Sequence, residues 1–150
     1  MVDIAIKALS PAINDPTTAV QALDQIQDHL LRLGRKRLEI GNLRDSQGVV
    51  RLIVPYPTWE DFLHLAFEEI RFCGATSIQV MRRMRALISD LIAALPFERH
   101  RALEHHRERL NATIARSFAD EEDKLDASME DRQGLGVPRE HREIQREVAK

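Results

Sequence analysis

The chain has 150 residues, of which 43% are hydrophobic, 31% charged and 5% aromatic, a length and composition typical of one domain with an aliphatic core. The net charge of -2 argues against a dedicated nucleic-acid binder, which would be strongly basic. Cys73 is the single cysteine, so an internal disulfide is excluded. The lack of a disulfide fits a reducing compartment.

Two amphipathic helices open the chain. The first starts at the N-terminus and ends before Pro11, because a residue that precedes proline avoids the α conformation. Asp15 as N-cap and Pro16 as first helical residue predict a second helix, which runs to about Leu33 and is closed by Gly34. The predicted core face of the second helix consists of Val20, Leu23, Ile26 and Leu30.

Residues 36–54 predict a β-hairpin. Leu38 and Ile40 alternate with charged residues, residues 42–48 supply turn formers, and residues 49–54 are mostly β-branched. Two strands alone are marginally stable in water. We therefore expect the hairpin to pack on helices or to pair with an edge strand of another chain.

Three further helices follow the hairpin. Thr58 and Asp61 form a capping-box-like start for the third, which Gly74 ends. The fourth helix is expected at about residues 76–95. The fifth runs unbroken from Pro96 to about residue 126, a length of more than ~40 Å. The predicted stripe of the third helix is Phe62, Leu65, Ala66 and Ile70, and the seam of the fourth is Met81, Met84, Ile88, Leu91 and Leu95.

Together these elements predict a mainly α fold, an antiparallel bundle of about five helices with one inserted β-hairpin. Residues 1–127 would form a single helical domain, and residues 128–150 a charged, flexible C-terminal tail. The longest apolar run, residues 91–95, falls far short of the ~20 residues of a membrane-spanning helix. No signal peptide is visible, and the abrupt helical start suggests a segment taken from a longer chain.

The link SPAINDPTTA, residues 10–19, is the most unusual stretch. It could bind a polar ligand or phosphate, because the following helix presents free backbone N–H groups. Alternatively, it is a rigid connector in which Ser10 and Asp15 satisfy the helix ends. The carboxylate of Asp15 argues against phosphate. The candidate ligand-binding side chains of this link are Ser10, Asn14, Asp15, Thr17 and Thr18.

Charge is unevenly distributed along the chain. Residues 71–109 hold eight Arg and four acidic residues, whereas residues 120–150 hold six basic and ten acidic ones. These segments are either solvated surfaces, or the acidic end docks on the basic stretch. Arg71, Arg82 and Arg83 either form an anion-binding patch beside the link or lie on a solvated or salt-bridged face.

Catalytic chemistry finds little support. The chain has no GxSxG elbow, P-loop, GxGxxG or zinc-ribbon pattern, so we assign no catalytic residue, metal or cofactor. His100 and Glu104 are four residues apart and could share a metal, although histidines on a charged helix surface are the simpler interpretation. A metal-dependent hydrolase would need three of His64, His100, Glu104 and His105 to converge.

The run DIAIKALSPAINDPTTAVQALD, residues 3–24, resembles the signature of the bacterial predicted-membrane-protein family called domain of unknown function 2254. Looser similarities lie at AFEEIRFCGATSIQV, residues 66–80, and DRQGLG, residues 131–136. Members carry transmembrane helices ahead of a soluble portion. The resemblance implies the C-terminal soluble part of such a protein on the cytoplasmic side of the inner membrane, or a stand-alone relative, and implies no enzyme activity.

The function favoured at this stage is a non-enzymatic assembly or regulatory module of a bacterial membrane protein. Its expected partners are a second copy in a homo-oligomer and the membrane-spanning region of the same protein, with no nucleic acid. The first alternative is a small-ligand or anion sensor that uses the link together with Arg71. The second alternative is the metal-dependent hydrolase.

Overall fold

The computed structural model describes residues 1–38 and 40–132, and it confirms the mainly α fold with one two-stranded antiparallel hairpin. Most of the predicted tail, residues 133–150, lies outside the described residues together with the last four residues of the DRQGLG similarity, and the domain boundary at 127 stays a prediction. The helices are α1 (Val2–Ala8), α2 (Pro16–Gly34), α3 (Trp59–Cys73), α4 (Ile78–Ala94), α5 (His100–Ser117) and α6 (Glu121–Ala127), and the strands are β1 (Asn42–Arg44) and β2 (Val50–Ile53).

Side-chain contacts fix the directions of the four long helices. Asp24 of α2 pairs with Arg83 of α4, and three residues later Gln27 of α2 bonds Asp90 of α4, so these two helices run the same way. The Trp59 indole of α3 donates to the Arg99 carbonyl ahead of α5, which places the starts of those helices side by side. Consecutive long helices are therefore antiparallel, while α2 is parallel to α4 and α3 to α5.

The core lies where these helices meet, and its residues follow the apolar spacing of α2 and α4. All four predicted core residues of α2 and all five of the α4 seam are buried. Trp59 is 2% exposed and closes the core at the hairpin end, where it packs near Gly34 and Leu95. A Cβ at Gly34 would lie 2.6 Å from Leu95 Cδ1, so a larger residue there would have to displace the Leu95 side chain at the end of α4.

The predicted stripe of α3 is wrong in two of its four positions. Leu65 is 65% exposed and Phe62 half-buried, whereas Leu63 and Phe67 are buried with Ala66 and Ile70. The helix carries apolar residues on two adjoining faces, so residue spacing alone does not identify the one that faces the core.

The single long fifth helix is also corrected by the structure. A 3₁₀ turn at Phe97–Arg99 precedes α5, and the chain leaves the helix at Phe118 before α6 starts. Asp120 caps α6 by accepting a hydrogen bond from the Glu122 N–H. The buried Phe118 keeps the apolar periodicity across the break, which is why the sequence pattern looked continuous.

The hairpin projects from the end of the bundle where α2 ends and α3 begins. Leu43 pairs with Leu52 and Asn42 with Ile53, with a register shift between Leu43 and Arg44. Every residue of β1 and all but Val50 of β2 are exposed, so neither face of the described hairpin is covered by helices.

Within residues 1–38 and 40–132, no helix is both long enough and apolar enough to cross a membrane.

Candidate functional site

The polar side chains of the link mainly satisfy helix ends. Asp15 caps α2, because its carboxylate accepts the Thr18 N–H at 3.1 Å and the Thr18 hydroxyl at 2.5 Å. These hydrogen bonds, that of the Thr18 hydroxyl first, hold the pKa of Asp15 below its ordinary value. The Ser10 hydroxyl donates to the Lys7 carbonyl at 2.8 Å, at the end of α1.

The other two predicted link residues, Asn14 and Thr17, are exposed. Asn14 has a φ of 47°, a left-handed conformation that asparagine tolerates better than most residues. Its N–H donates to the Ser10 carbonyl at 2.8 Å, which tightens the turn, and Thr17 lies on the first turn of α2. The geometry is that of a rigid connector, and ligand binding at this link stays a prediction.

Arg71 forms its contacts on the α5 side of α3. Its Nη1 donates to the Thr113 hydroxyl of α5 at 2.6 Å, and its Nη2 to the Glu68 carboxylate at 2.8 Å. Among the described residues its hydrogen bonds include none to the link. The structure thus separates Arg71 from the five link residues with which the sequence grouped it.

Glu68 is the centre of a polar cluster between α3 and α5, which also contains Arg71, His106, Arg109 and Thr113. The same Glu68 oxygen, Oε2, accepts from Arg71 and from Arg109, the latter at 2.5 Å. Burial alone would raise the pKa of Glu68, but the hydrogen bond from Arg71 and the charges of both arginines lower it below its usual value. One carboxylate therefore faces two guanidinium groups.

His106 completes this cluster as a neutral imidazole. Its Nδ1 lies 3.6 Å from Glu68 Oε1, and both atoms are buried without a hydrogen-bond partner among the described residues. Burial lowers the pKa of His106 to about 4, which outweighs the attraction of Glu68. The edge of its ring also contacts Phe67, with ring centroids 5.2 Å apart.

A groove of about 550 Å³ lies beside the cluster, between the first turns of α3 and α5. Asp61 is already engaged there by the Thr58 N–H and hydroxyl in the α3 capping box, and Arg109 by Glu68. No hydrogen bond or ion pair engages Arg101 within the described part of the chain. The polar side chains that line this α3–α5 groove include Glu60, Asp61, His64, Arg101, His105 and Arg109.

The arrangement of these side chains does not support the metal-site hypothesis. His64 and His105 share the α3–α5 groove, while the His100 ring nitrogen lies 2.9 Å from the Leu95 carbonyl. Across residues 1–38 and 40–132, no group of three or more His, Cys, Asp or Glu side chains is placed to hold a metal ion. The charged side chains of the cluster instead pair with one another, as Arg71 and Arg109 do with Glu68.

Two of the three arginines of α4 are buried rather than solvated. Arg82 and Arg83 are each 4% exposed. Arg83 binds Asp24 at 2.6 Å and the Gln27 side-chain oxygen at 2.5 Å, as the salt-bridged alternative predicts. The buried Asp131 donates its backbone N–H to the Arg82 carbonyl, so the start of the acidic end lies on α4 within the same chain.

Two apolar surfaces are also open. One is a groove of about 420 Å³ where α1, α2 and α3 meet, here called the α1–α3 groove. The other is the hairpin, whose large side chains are exposed on both faces. The α1–α3 groove is lined mainly by Val2, Ile26, Leu30, Leu33, Phe62 and Leu65.

Sequence reasoning missed Glu68 and His106, although a signal for His106 exists. Leu103, His106, Leu110 and Thr113 follow the alternating spacing of three and four that marks a buried helix seam. Two polar residues at seam positions indicate a buried polar cluster, because each needs a partner inside the protein. Glu68 itself is identified only by the packing of α3 on α5.

Comparison with known proteins gives one family match and a set of mycobacterial relatives. The family model described as "Predicted membrane protein (DUF2254)" matches residues 1–90. Uncharacterized protein Mb1321c of Mycobacterium bovis and Uncharacterized protein Rv1290c of Mycobacterium tuberculosis are each 32% identical over 125 residues. The match covers 83% of this chain and 24% of each relative, so the chain spans about a quarter of their length. No solved structure matches the chain.

Proposed function

Because this chain belongs to the DUF2254 family of predicted membrane proteins, we propose that it is a non-enzymatic cytoplasmic module that assembles or regulates a bacterial membrane protein. Its principal partner would be the membrane-spanning part of the same protein. The relatives are about four times as long as the matched region, which leaves ample chain for such a part.

The α1–α3 groove is the observation that carries this proposal. Its walls are almost entirely aliphatic and aromatic, and Leu65 stands 65% exposed at its edge. Exposed apolar patches of this kind mark interaction sites, because leaving them in water costs free energy that a partner recovers. A helix from the remainder of the protein would fill the space between α2 and α3 in the way that α1 fills it further along.

The first test is the full-length reading frame. Apolar segments of about 20 residues outside the matched region would support the proposal. A reading frame without any such segment would refute it.

The second test uses the full-length protein in detergent, with a protease site inserted between this domain and the remainder. After cleavage, we expect the domain to co-elute with the membrane part during gel filtration. Leu65→Glu should release it, because a carboxylate would be buried in the groove. Phe72→Glu is the matched control, since Phe72 is 75% exposed on the same helix but does not line the groove. Release of both variants, or of neither, would contradict the proposal.

Homo-oligomerisation belongs to the same proposal. The α1–α3 groove is an exposed apolar surface that a second copy could also cover. Light scattering of the purified chain at several concentrations tests it: a dimer or larger mass supports the oligomer, and a constant monomer mass contradicts it.

A small anionic ligand in the α3–α5 groove is the second candidate function. It is favoured by Arg101, a groove-lining guanidinium that no hydrogen bond or ion pair engages within the described residues. The probe is succinate, titrated into the chain and followed by amide NMR shifts. Arg101→Gln should abolish the shifts around the groove, whereas Arg116→Gln, an exposed arginine further along α5, should preserve them. Shifts that survive in Arg101→Gln would rule this ligand site out.

A further inference from the structure

The hairpin is the most apolar exposed segment of the described chain, and helices do not cover it. Leu43 and Leu52 form a cross-strand pair on one face, each 53% exposed, and Ile53 on the opposite face is 71% exposed. A bare two-stranded hairpin is marginally stable in water. An environment that buries these side chains would therefore stabilise the hairpin as well as bind it. The other large exposed apolar residues of the segment are Ile40, Val49, Val54 and Tyr56.

The same segment is basic in an acidic protein. Residues 35–57 hold five basic and two acidic residues, a net charge of +3, whereas the remaining 127 residues sum to -5. Arg35 and Lys36 are exposed where α2 leads into the hairpin. Within the hairpin, Arg51 pairs with the turn residue Asp45 at 2.7 Å, so one of the two acidic charges is already balanced. At the hairpin base, Glu60 and Glu98 line a groove together with Ile53 and Tyr56, on the face opposite the Leu43–Leu52 pair.

The exposed apolar side chains and the positive charge of residues 35–57 together indicate which kind of partner would cover this surface. A second copy would bring another +3 segment against the first, and like charges oppose that contact. An anionic lipid bilayer offers negative headgroups to the basic residues and hydrocarbon to the apolar ones. We propose that the 35–57 hairpin docks on the surface of an anionic membrane, with the face that carries Leu43 and Leu52 entering the headgroup–acyl boundary.

The base of the hairpin fits the same orientation. Tyr56 is exposed between Pro55 and Pro57, and tyrosine is enriched at the boundary between lipid and water, where its ring is buried and its hydroxyl stays hydrated. Arg99 connects the residues that lead into the hairpin to the helical bundle, because its side chain donates hydrogen bonds to the carbonyls of Gly34 and Lys36. Docking of the hairpin would thus place this end of the helical bundle against the bilayer. This inference rests on the proposed function only in setting the domain beside a membrane.

Co-sedimentation with lipid vesicles tests it on the chain as it stands. We expect the chain to sediment with vesicles of equal parts phosphatidylglycerol and phosphatidylcholine but not with phosphatidylcholine alone. Leu43→Gln with Leu52→Gln should weaken binding by about tenfold or more, since two large apolar side chains lose their burial. Arg35→Gln with Lys36→Gln should weaken it by about tenfold as well, through lost attraction to the headgroups.

Matched controls lie outside the hairpin. Leu125→Gln removes an equally exposed apolar side chain from α6, and Lys7→Gln with Arg116→Gln removes two exposed basic charges; both should bind as the unchanged chain does. Binding that ignores lipid charge, or that falls equally in the controls, would overturn the inference. So would a vesicle-independent dimer that the Leu43 and Leu52 changes convert to a monomer, because the hairpin would then serve a second copy. The vesicle assay uses no other part of the family protein, so its failure is distinct from failure of the detergent assay.

Discussion

Glu68 on α3 and Arg109 on α5 form an ion pair in which Arg109 Nη2 lies 2.5 Å from Glu68 Oε2. That oxygen also accepts from the buried Arg71, so removal of the carboxylate charge leaves a buried guanidinium without its counter-ion. We expect Glu68→Gln to lower the free energy of unfolding by about 2–4 kcal/mol in urea denaturation. Glu69→Gln, the exposed neighbour, should change it little. Equal effects of the two variants would show that the cluster does not stabilise the α3–α5 interface.

His106 makes stability depend on pH. Its pKa falls from 6.5 to about 4 on folding, so the unfolded chain takes up this proton first as the pH drops. The stability contributed by neutral His106 is therefore fully present above about pH 6.5 and is lost towards pH 4, in total about 3 kcal/mol. His106→Gln should flatten this part of the curve, measured by urea midpoints between pH 4.5 and 7. His105→Gln, on the exposed side of α5, should leave the slope intact; an unchanged slope in His106→Gln would contradict the assignment.

The Asp15 cap should be visible as thermal stability. Asp15→Ala removes both acceptors of the Thr18 hydrogen bonds, so we expect the melting temperature to fall by about 3–6 °C. Asp15→Asn keeps an acceptor oxygen and should retain most of the stability. Because hydrogen bonding lowers the pKa of Asp15, its stabilisation persists above the ordinary carboxyl range and is lost as the pH falls through that lowered value. An Ala variant as stable as the unchanged chain would mean that the link is not a structural connector.

Gly41 controls the base of the hairpin. A Cβ at this position would lie 2.2 Å from the Val54 carbonyl oxygen, a backbone atom that cannot move without separating the strands. The Gly41 carbonyl accepts the Val54 N–H at 2.8 Å, so Gly41→Ala should break this contact as well. Amide hydrogen exchange should accelerate at the hairpin while the helices keep their protection. Gly48→Ala tests the turn separately, because its φ of 80° disfavours a side chain although the surrounding space is open.

Much of the helical core is predictable because the apolar spacing of α2 and the predicted seam of α4 both lie in it. Leu23 and Met84 could be assigned to the core from spacing alone, although α4 also buries Val80 and Leu87 outside that seam. The caps at Asp15 and Thr58 follow from local hydrogen bonding, which needs no knowledge of the fold. On α3, by contrast, the sequence does not show which of Leu63 and Leu65 faces the core. Their burial depends on the helices that pack against α3, namely α1 and α5.

The polar cluster was less accessible to sequence reasoning. Glu68 and Arg109 are 41 residues apart, and nothing local to either residue identifies the other. The grouping of Arg71 with the link assumed that the basic side chain would face α2. In the fold it faces α5, because Thr113 and Glu68 supply buried acceptors there.

Trp59 is the single tryptophan of the chain, and its position gives the molecule a built-in optical reporter. Its indole is buried at the hairpin end, donates to the Arg99 carbonyl at 3.2 Å and lies 5.6 Å below the Arg99 guanidinium. Its fluorescence will therefore respond to events at the hairpin-bearing end and remain largely insensitive to those at the opposite end, beside the link. Docking, opening or loosening of that end can be followed in real time on the unlabelled chain.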